Sequence, residues 1–138
     1  MIYENVTHII LHCSATPEGR QNTAADIDRW HKAKGWRKIG YHYVVEHTKI
    51  CRGRALNETG AHAKGNNRDT WGVCYIGGTD VDGNPKDTRT KGQDALLTNL
   101  LIHLKAMAPN AKIIGHNEVS TKACPSFDVQ AAYGWLND

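Results

Sequence analysis

The segment that most limits the folds open to this chain is VTHIILHC, residues 6–13. It is apolar, rich in β-branched side chains and too short for a buried helix, so it predicts a buried strand. Strand side chains alternate between faces. His12 and Cys13 therefore point opposite ways and do not form a local chelate. WGVCYI, residues 71–76, predicts a second buried strand. GYHYVVEH predicts a strand over Tyr41–His47, with Tyr41, Tyr43 and Val45 on one face and His42, Val44 and Glu46 on the other. A turn at Thr48 and Lys49 leads into a short strand, Ile50 to Arg54, closing a hairpin.

Helical patterns separate these runs. Thr23 to Gly35 opens with Thr23 at an N-cap position and Asp26 completing a variant of the capping box. Ala24, Ile27 and Trp30 or His31 make its inner face, and Gly35 ends it. Thr90 to Met107 is the clearest helix. Thr90 and Gln93 form a capping box, Leu96, Leu97, Leu100, Leu101, Leu104 and Met107 make one core-facing stripe, and Pro109 stops it. Lys112 to Gly115 is a short strand that delivers His116, and Asp128 caps a last helix toward Leu136. Glu58 to Thr70 reads as a polar loop, and GGTDVDGNPKDTR, residues 77–89, as a turn-rich connection. Its DxDGN lacks the spacing and terminal Glu of a calcium loop. Strands alternating with helices predict an α/β fold over residues 1–138: one domain with a central mixed sheet flanked by helices.

Composition narrows the function. At 138 residues the chain buries a core without disulfides or a structural metal. The net charge of +3 is mild, and no basic stripe or zinc-finger pattern marks a nucleic-acid binder. The four cysteines, Cys13, Cys51, Cys74 and Cys124, form no CxxC pair and read as free thiols in a reducing compartment. No segment approaches the ~20 apolar residues of a membrane helix. MIYENVTHIILHCSA lacks the features of a signal peptide, which predicts a cytoplasmic protein that reaches any wall substrate after release.

The chemistry-bearing residues concentrate in GHNEVSTKACPSFD, residues 115–128. His116 and Cys124 are metal-ligand types, Lys122 lies between them, and His12 ends the first strand. Catalytic zinc takes three protein ligands and keeps one position open. His12, His116 and Cys124 would make such a set if the fold brings them to one sheet rim. Spacing alone carries no motif here. Two core histidines and a small buried thiol are the plain alternative.

IILHCSAT, RWHKAKGWRKIGYHYVV, GAHAKGNN, WGVCYIGG and GHNEVSTKACPSFD, taken in order, resemble the successive blocks of the zinc-dependent N-acetylmuramoyl-L-alanine amidases of type 2. The short phage lytic enzymes are similar members, and peptidoglycan recognition proteins share the fold. The resemblance covers nearly the whole chain. It implies zinc at His12, His116 and Cys124 in a cleft at the sheet rim, with Tyr41 and Lys122 as catalytic residues. It implies hydrolysis of the amide between N-acetylmuramic acid and L-alanine in peptidoglycan, as in endolysin-driven lysis by phage. His62, in GAHAKG, is expected either to line the substrate cleft or to face solvent. His31, His42 and His47 are expected to be structural or at the surface. A monomer is expected, with peptidoglycan as partner and neither membrane nor nucleic acid. Two other functions stand beside this one. The first is a peptidoglycan-binding module without catalysis, a reading that Cys124 opposes because binding-only relatives commonly lack it. The second is an amidase that also binds and inhibits an RNA polymerase. Members that do so use a longer tail than the eleven residues preceding His12 here. The chain departs from the family pattern in its hairpin, which turns on Glu46–Lys49 instead of Asp-Gly, and at Asn117, where close relatives can carry histidine.

Overall fold

The protein is described by a computed structural model over residues 3–138; Met1 and Ile2, where the segment read as no signal peptide begins, lie outside the described residues. In chain order the elements are β1 (His8–Cys13), β2 (Thr16–Pro17), α1 (Ala24–Ala33), β3 (Tyr43–Val45), β4 (Ile50–Arg52), β5 (Thr70–Tyr75), β6 (Gly78–Thr79), α2 (Lys91–Met107), β7 (Lys112–Gly115) and α3 (Val129–Tyr133). Short 3₁₀ turns cover Tyr3–Asn5, His116–Glu118 and Gly134–Asn137. The expected mixed sheet is five-stranded, in the order β4-β3-β5-β1-β7. Within this sheet, among the described residues, the β3–β4 pair is antiparallel and the other pairs are parallel. β1 runs parallel between β5 and β7, so the carboxyl ends of these strands share one edge.

Both capping boxes form. Thr23 Oγ1 accepts the Asp26 N–H while the Asp26 carboxylate accepts the Thr23 N–H. Thr90 and Gln93 make the same reciprocal pair at α2. The buried Gln93 also donates its amide to the Ile76 carbonyl, tying the start of α2 to the end of β5. The last helix is shorter than expected: α3 ends at Tyr133 and a 3₁₀ turn carries the chain on to Asn137. The small β2–β6 pairing has no signal in the sequence, being two residues long on each side.

The two sheet faces differ. Ile9, Leu11, Cys13, Val73, Tyr75 and Ile113 pack with Leu97, Leu101 and Leu104 of α2 and with Val129 and Tyr133 of α3. On the other face Val44, Cys74 and Ile76 pack with Ile27 of α1 and with Ile39. A third small group joins Ile10, Ile114 and Ala63 of the 58–70 loop. β5 shows the division most clearly. Its core-facing side chains are Trp71, Val73 and Tyr75, all fully buried, whereas the opposite face carries Thr70, Gly72 and Cys74. That face of small residues leaves room for a loop and a cleft. Among the described residues no helix is long and apolar enough to cross a membrane.

Candidate functional site

Three separate segments meet at the carboxyl ends of β1 and β7. His12 is the penultimate residue of β1, His116 follows β7 directly, and Cys124 lies in the loop before α3. Their ligand atoms all lie within 4.8 Å of one another. Cys124 Sγ is 3.8 Å from His12 Nδ1, close to the about 3.5 Å that a tetrahedral zinc imposes between nitrogen and sulfur ligands. The His12 and His116 rings are 4.5 Å apart between centroids.

The Cys124 loop is fixed from several sides. Tyr75 donates its hydroxyl to the Pro125 carbonyl at 2.8 Å. Asn117 donates its amide to the Ala123 and Phe127 carbonyls, which gives the departure at this position a structural task. The Arg89 guanidinium lies 3.6 Å from the centre of the Phe127 ring and donates to Tyr133 and Asp87. The Cys13 backbone N–H points at Cys124 Sγ, 3.2 Å away. Cys13 thus turns its side chain into the core, as alternation requires, yet serves the site through its backbone.

The electrostatics suit a cation. Burial, His62, His116 and Lys122 push His12 well below its ordinary pKa, and burial and Lys122 lower His116. Both imidazoles are therefore neutral near pH 7, the form that binds metal. The Cys13 thiol is lowered to about 7, chiefly by its contact with Cys124, while that contact and burial raise Cys124. A cation beside Cys124 would favour the thiolate on the sulfur that already accepts the Cys13 N–H. Two neutral imidazoles, one available thiolate and a compact spacing fit zinc.

The site opens into a cleft of about 860 Å³, at the large end of the range for ligand pockets. Trp30, Lys34 and Trp36 form one wall, and Lys64, Ser120 and Lys122 stand around the remainder. Lys122 is exposed, and its charge reaches His12 and His116. Tyr41 lies beside His12, with ring centroids 5.1 Å apart. It does not share the face of Tyr43 and Val45, as simple alternation predicts, but packs with Ile27, Val44 and Cys74. Tyr41 precedes β3 at a bend where its carbonyl accepts the Arg54 N–H, so the alternation has not yet begun there. Burial, then the Cys74, Cys124 and Cys13 thiols, push its phenol well above the ordinary value.

His62 reaches the site as well. It is half-buried, lines the cleft, and places Nδ1 2.8 Å from His12 Nε2. Its Nε2 lies 3.2 Å from Thr70 Oγ1. Burial and neighbouring cationic groups bring His62 down to about 3. Asn67 Oδ1 accepts the N–H groups of His62 and Ala63 and fixes the loop. Of the supporting residues, Asn67, Gly72 and Asn117 lie inside the family blocks without a supporting role assigned to them there, and Thr70 lies outside the blocks; the large–small alternation of β5 marks the face that Thr70 and Gly72 serve. The other histidines on the cleft side are structural, as expected. His42 accepts the Gly72 N–H and donates to the Glu58 carbonyl, and His31 accepts the Gly40 N–H.

Comparison with known proteins agrees with this geometry. The N-acetylmuramoyl-L-alanine amidase family pattern matches residues 3–127. The endolysins of Klebsiella phage KP32 and Escherichia phage T7 are each 38% identical over 128 residues, covering 92% of this chain and 85% of theirs. The solved N-acetylmuramoyl-L-alanine amidase LysC from Clostridium intestinale superposes with a TM-score of 0.79 at 27% identity, over 99% of this chain and 89% of that one. Bumblebee peptidoglycan recognition protein SA shares the fold with a TM-score of 0.78 at 24% identity, over 96% of this chain and 83% of that one.

Proposed function

This chain belongs to the N-acetylmuramoyl-L-alanine amidase family, and on that premise we propose that His12, His116 and Cys124 hold zinc while Lys122 and Tyr41 serve the reaction beside it. The protein is an amidase of peptidoglycan, of the endolysin kind, cutting the amide between N-acetylmuramic acid and L-alanine. The observation that carries the metal reading is the convergence of three ligand atoms within 4.8 Å, from three distant segments, on the floor of the cleft.

Zinc bound there would supply Lewis-acid polarisation of the scissile carbonyl and activation of the attacking water. The chain's own residues do the remainder. Lys122 sets a positive charge at the cleft mouth, where an oxyanion develops as water adds to the carbonyl. Burial and the neighbouring thiols raise the Tyr41 phenol, so its hydroxyl is available beside the scissile carbonyl as a hydrogen-bond donor. Trp30 and Trp36 offer flat apolar surface to the substrate, and the exposed Lys34 and Lys64 offer charge to its carboxylates. Every one of these groups comes from one copy of the chain, so the reading needs only a monomer. Residues 1–138 act as one amidase domain, working on the wall after release from the cytoplasm. Inhibition of an RNA polymerase is not part of this reading.

The test is metal content with clearing of purified peptidoglycan, before and after chelation. About one zinc per chain, with activity lost on chelation and restored by zinc, supports the proposal. A folded sample with neither zinc nor clearing overturns it in favour of a binding module.

A further inference from the structure

The contacts around His62 define a proton inventory that ends at a metal ligand. The Thr70 hydroxyl carries one hydrogen. It lies 2.7 Å from the Asn66 carbonyl and 3.2 Å from that of Asn67. Carbonyls only accept, so the hydrogen points at them, and Thr70 Oγ1 is left as an acceptor toward His62 Nε2. His62 then carries its proton on Nε2. Its Nδ1 is bare and accepts from His12 Nε2, at 2.8 Å. His12 in turn carries its proton on Nε2, and its Nδ1 lone pair is free on the side of Cys124.

We infer that His62 is a positioning residue that fixes His12 in the Nε2–H tautomer and so presents Nδ1 to the metal. This rests on the zinc reading above and extends it. His62 lines the cleft, one of the two placements expected of it, and the contact with His12 gives it a further task there. An outer partner that fixes the tautomer and orientation of a ligating histidine is a common device in metal sites. Here the device has its own housing. A methyl at Gly72 would stand 2.5 Å from the His62 ring, and one at Gly60 would stand 2.6 Å from it. The three heavy atoms nearest the missing Gly72 side chain all belong to His62. Gly72 sits on β5 beside Ile10 of β1. The absent side chain makes the berth for the ring.

The experiment uses the intact protein, first without metal and then with zinc. Nitrogen-15 NMR of the metal-free protein should show His12 with an unprotonated Nδ1 and a protonated Nε2. His62→Ala removes the acceptor, and Gly72→Ala displaces the ring without touching His12 or Thr70. Both should return His12 to a tautomer mixture and weaken zinc binding about 10–100-fold, the span typical of a lost outer-shell partner. His62→Asn places an amide oxygen where Nδ1 was and should restore most of both. Melting temperatures identify any variant that fails to fold; Asn and Ala at 62, compared with each other, keep the test valid even then. The inference is overturned if wild-type His12 is protonated on Nδ1, or if His62→Ala keeps both tautomer and zinc affinity. If the wild type binds no zinc, the metal reading fails while the tautomer result still decides the role of His62.

Discussion

Lys122→Ala separates charge stabilisation from metal binding. Lys122 lines the cleft, is exposed, and lowers the proton affinity of His12 and His116 through its charge. If it faces the developing oxyanion, its loss should raise the barrier by about 3 kcal/mol, the lower end for an oxyanion donor because solvent screens an exposed ammonium. That is about a 100-fold fall in kcat. A charge that acts mainly in the transition state leaves KM nearly unchanged. The metal should respond in the other sense. Removing a neighbouring cation makes both imidazoles better ligands, so zinc should be held as tightly as before or tighter. The assay is steady-state hydrolysis of a soluble muramyl peptide, with zinc stoichiometry and melting temperature measured on the same sample. A variant that keeps kcat within about threefold refutes the oxyanion role on the scale of such effects. A variant that loses both activity and zinc shows that Lys122 acts by shaping the ligand loop.

Three other outcomes follow from the same structure. Cys124→Ser should stay folded but weaken zinc by more than the ~100-fold of an outer-shell loss and abolish most hydrolysis; full activity would mean that Cys124 is not a ligand. Leu101→Ala, at a fully buried position of α2, should cost about 3 kcal/mol and lower the melting temperature by about 10 °C, leaving zinc affinity unchanged; a shift below about 3 °C would show that the core closes over the gap. Lys38, the Ala55 N–H and Arg37 hold the Glu58 carboxyl down to about 2, from an ordinary 4.5. Its folded pKa lies below its unfolded one, so its stabilisation is complete above 4.5 and fades as the pH falls toward 2. The melting temperatures of wild type and Glu58→Gln should therefore converge across that window, and parallel curves would refute the assignment.

The sequence makes some of this architecture legible for local reasons. Capping boxes are local hydrogen-bond patterns, and both helices begin where Thr23 and Thr90 place them. The hairpin and the strand that delivers His116 are equally local. The meeting of His12 with His116 is not local, because it depends on β1 and β7 becoming parallel neighbours although most of the chain lies between them. Spacing cannot show that; the ordered family blocks can. Alternation assigns Tyr41 to the wrong face because the strand begins only at Tyr43. The sequence leaves His62 open, since a histidine in a polar loop has no periodicity. Its ring rests on nearby Thr70 and Gly72, and only the pairing of β5 with β1 brings it to His12. Arg89 read as part of a turn, and its clamp on Phe127 and Tyr133 depends on where the Cys124 loop lands.

The alternation along β5 separates stability from chemistry. Its large residues, Trp71, Val73 and Tyr75, face α2 and α3, while on the opposite face Thr70 and Gly72 support His62 and Cys74 packs under Ile27. Enlarging Gly72 should therefore disturb the His62 contact and the metal before it disturbs the α2 core, whereas truncating Leu101 should do the reverse. β1 follows the same rule with one exception. Cys13 has its side chain in the core, but its N–H holds the Cys124 sulfur. Substitution at Cys13 by a bulkier apolar residue should therefore alter both properties at once. Cys13 Sγ lies so close to Gly78 that a methyl built there would stand 2.4 Å from it, so a bulkier side chain at Cys13 meets the β6 backbone. Cys13 thus links the core to the candidate metal ligand Cys124.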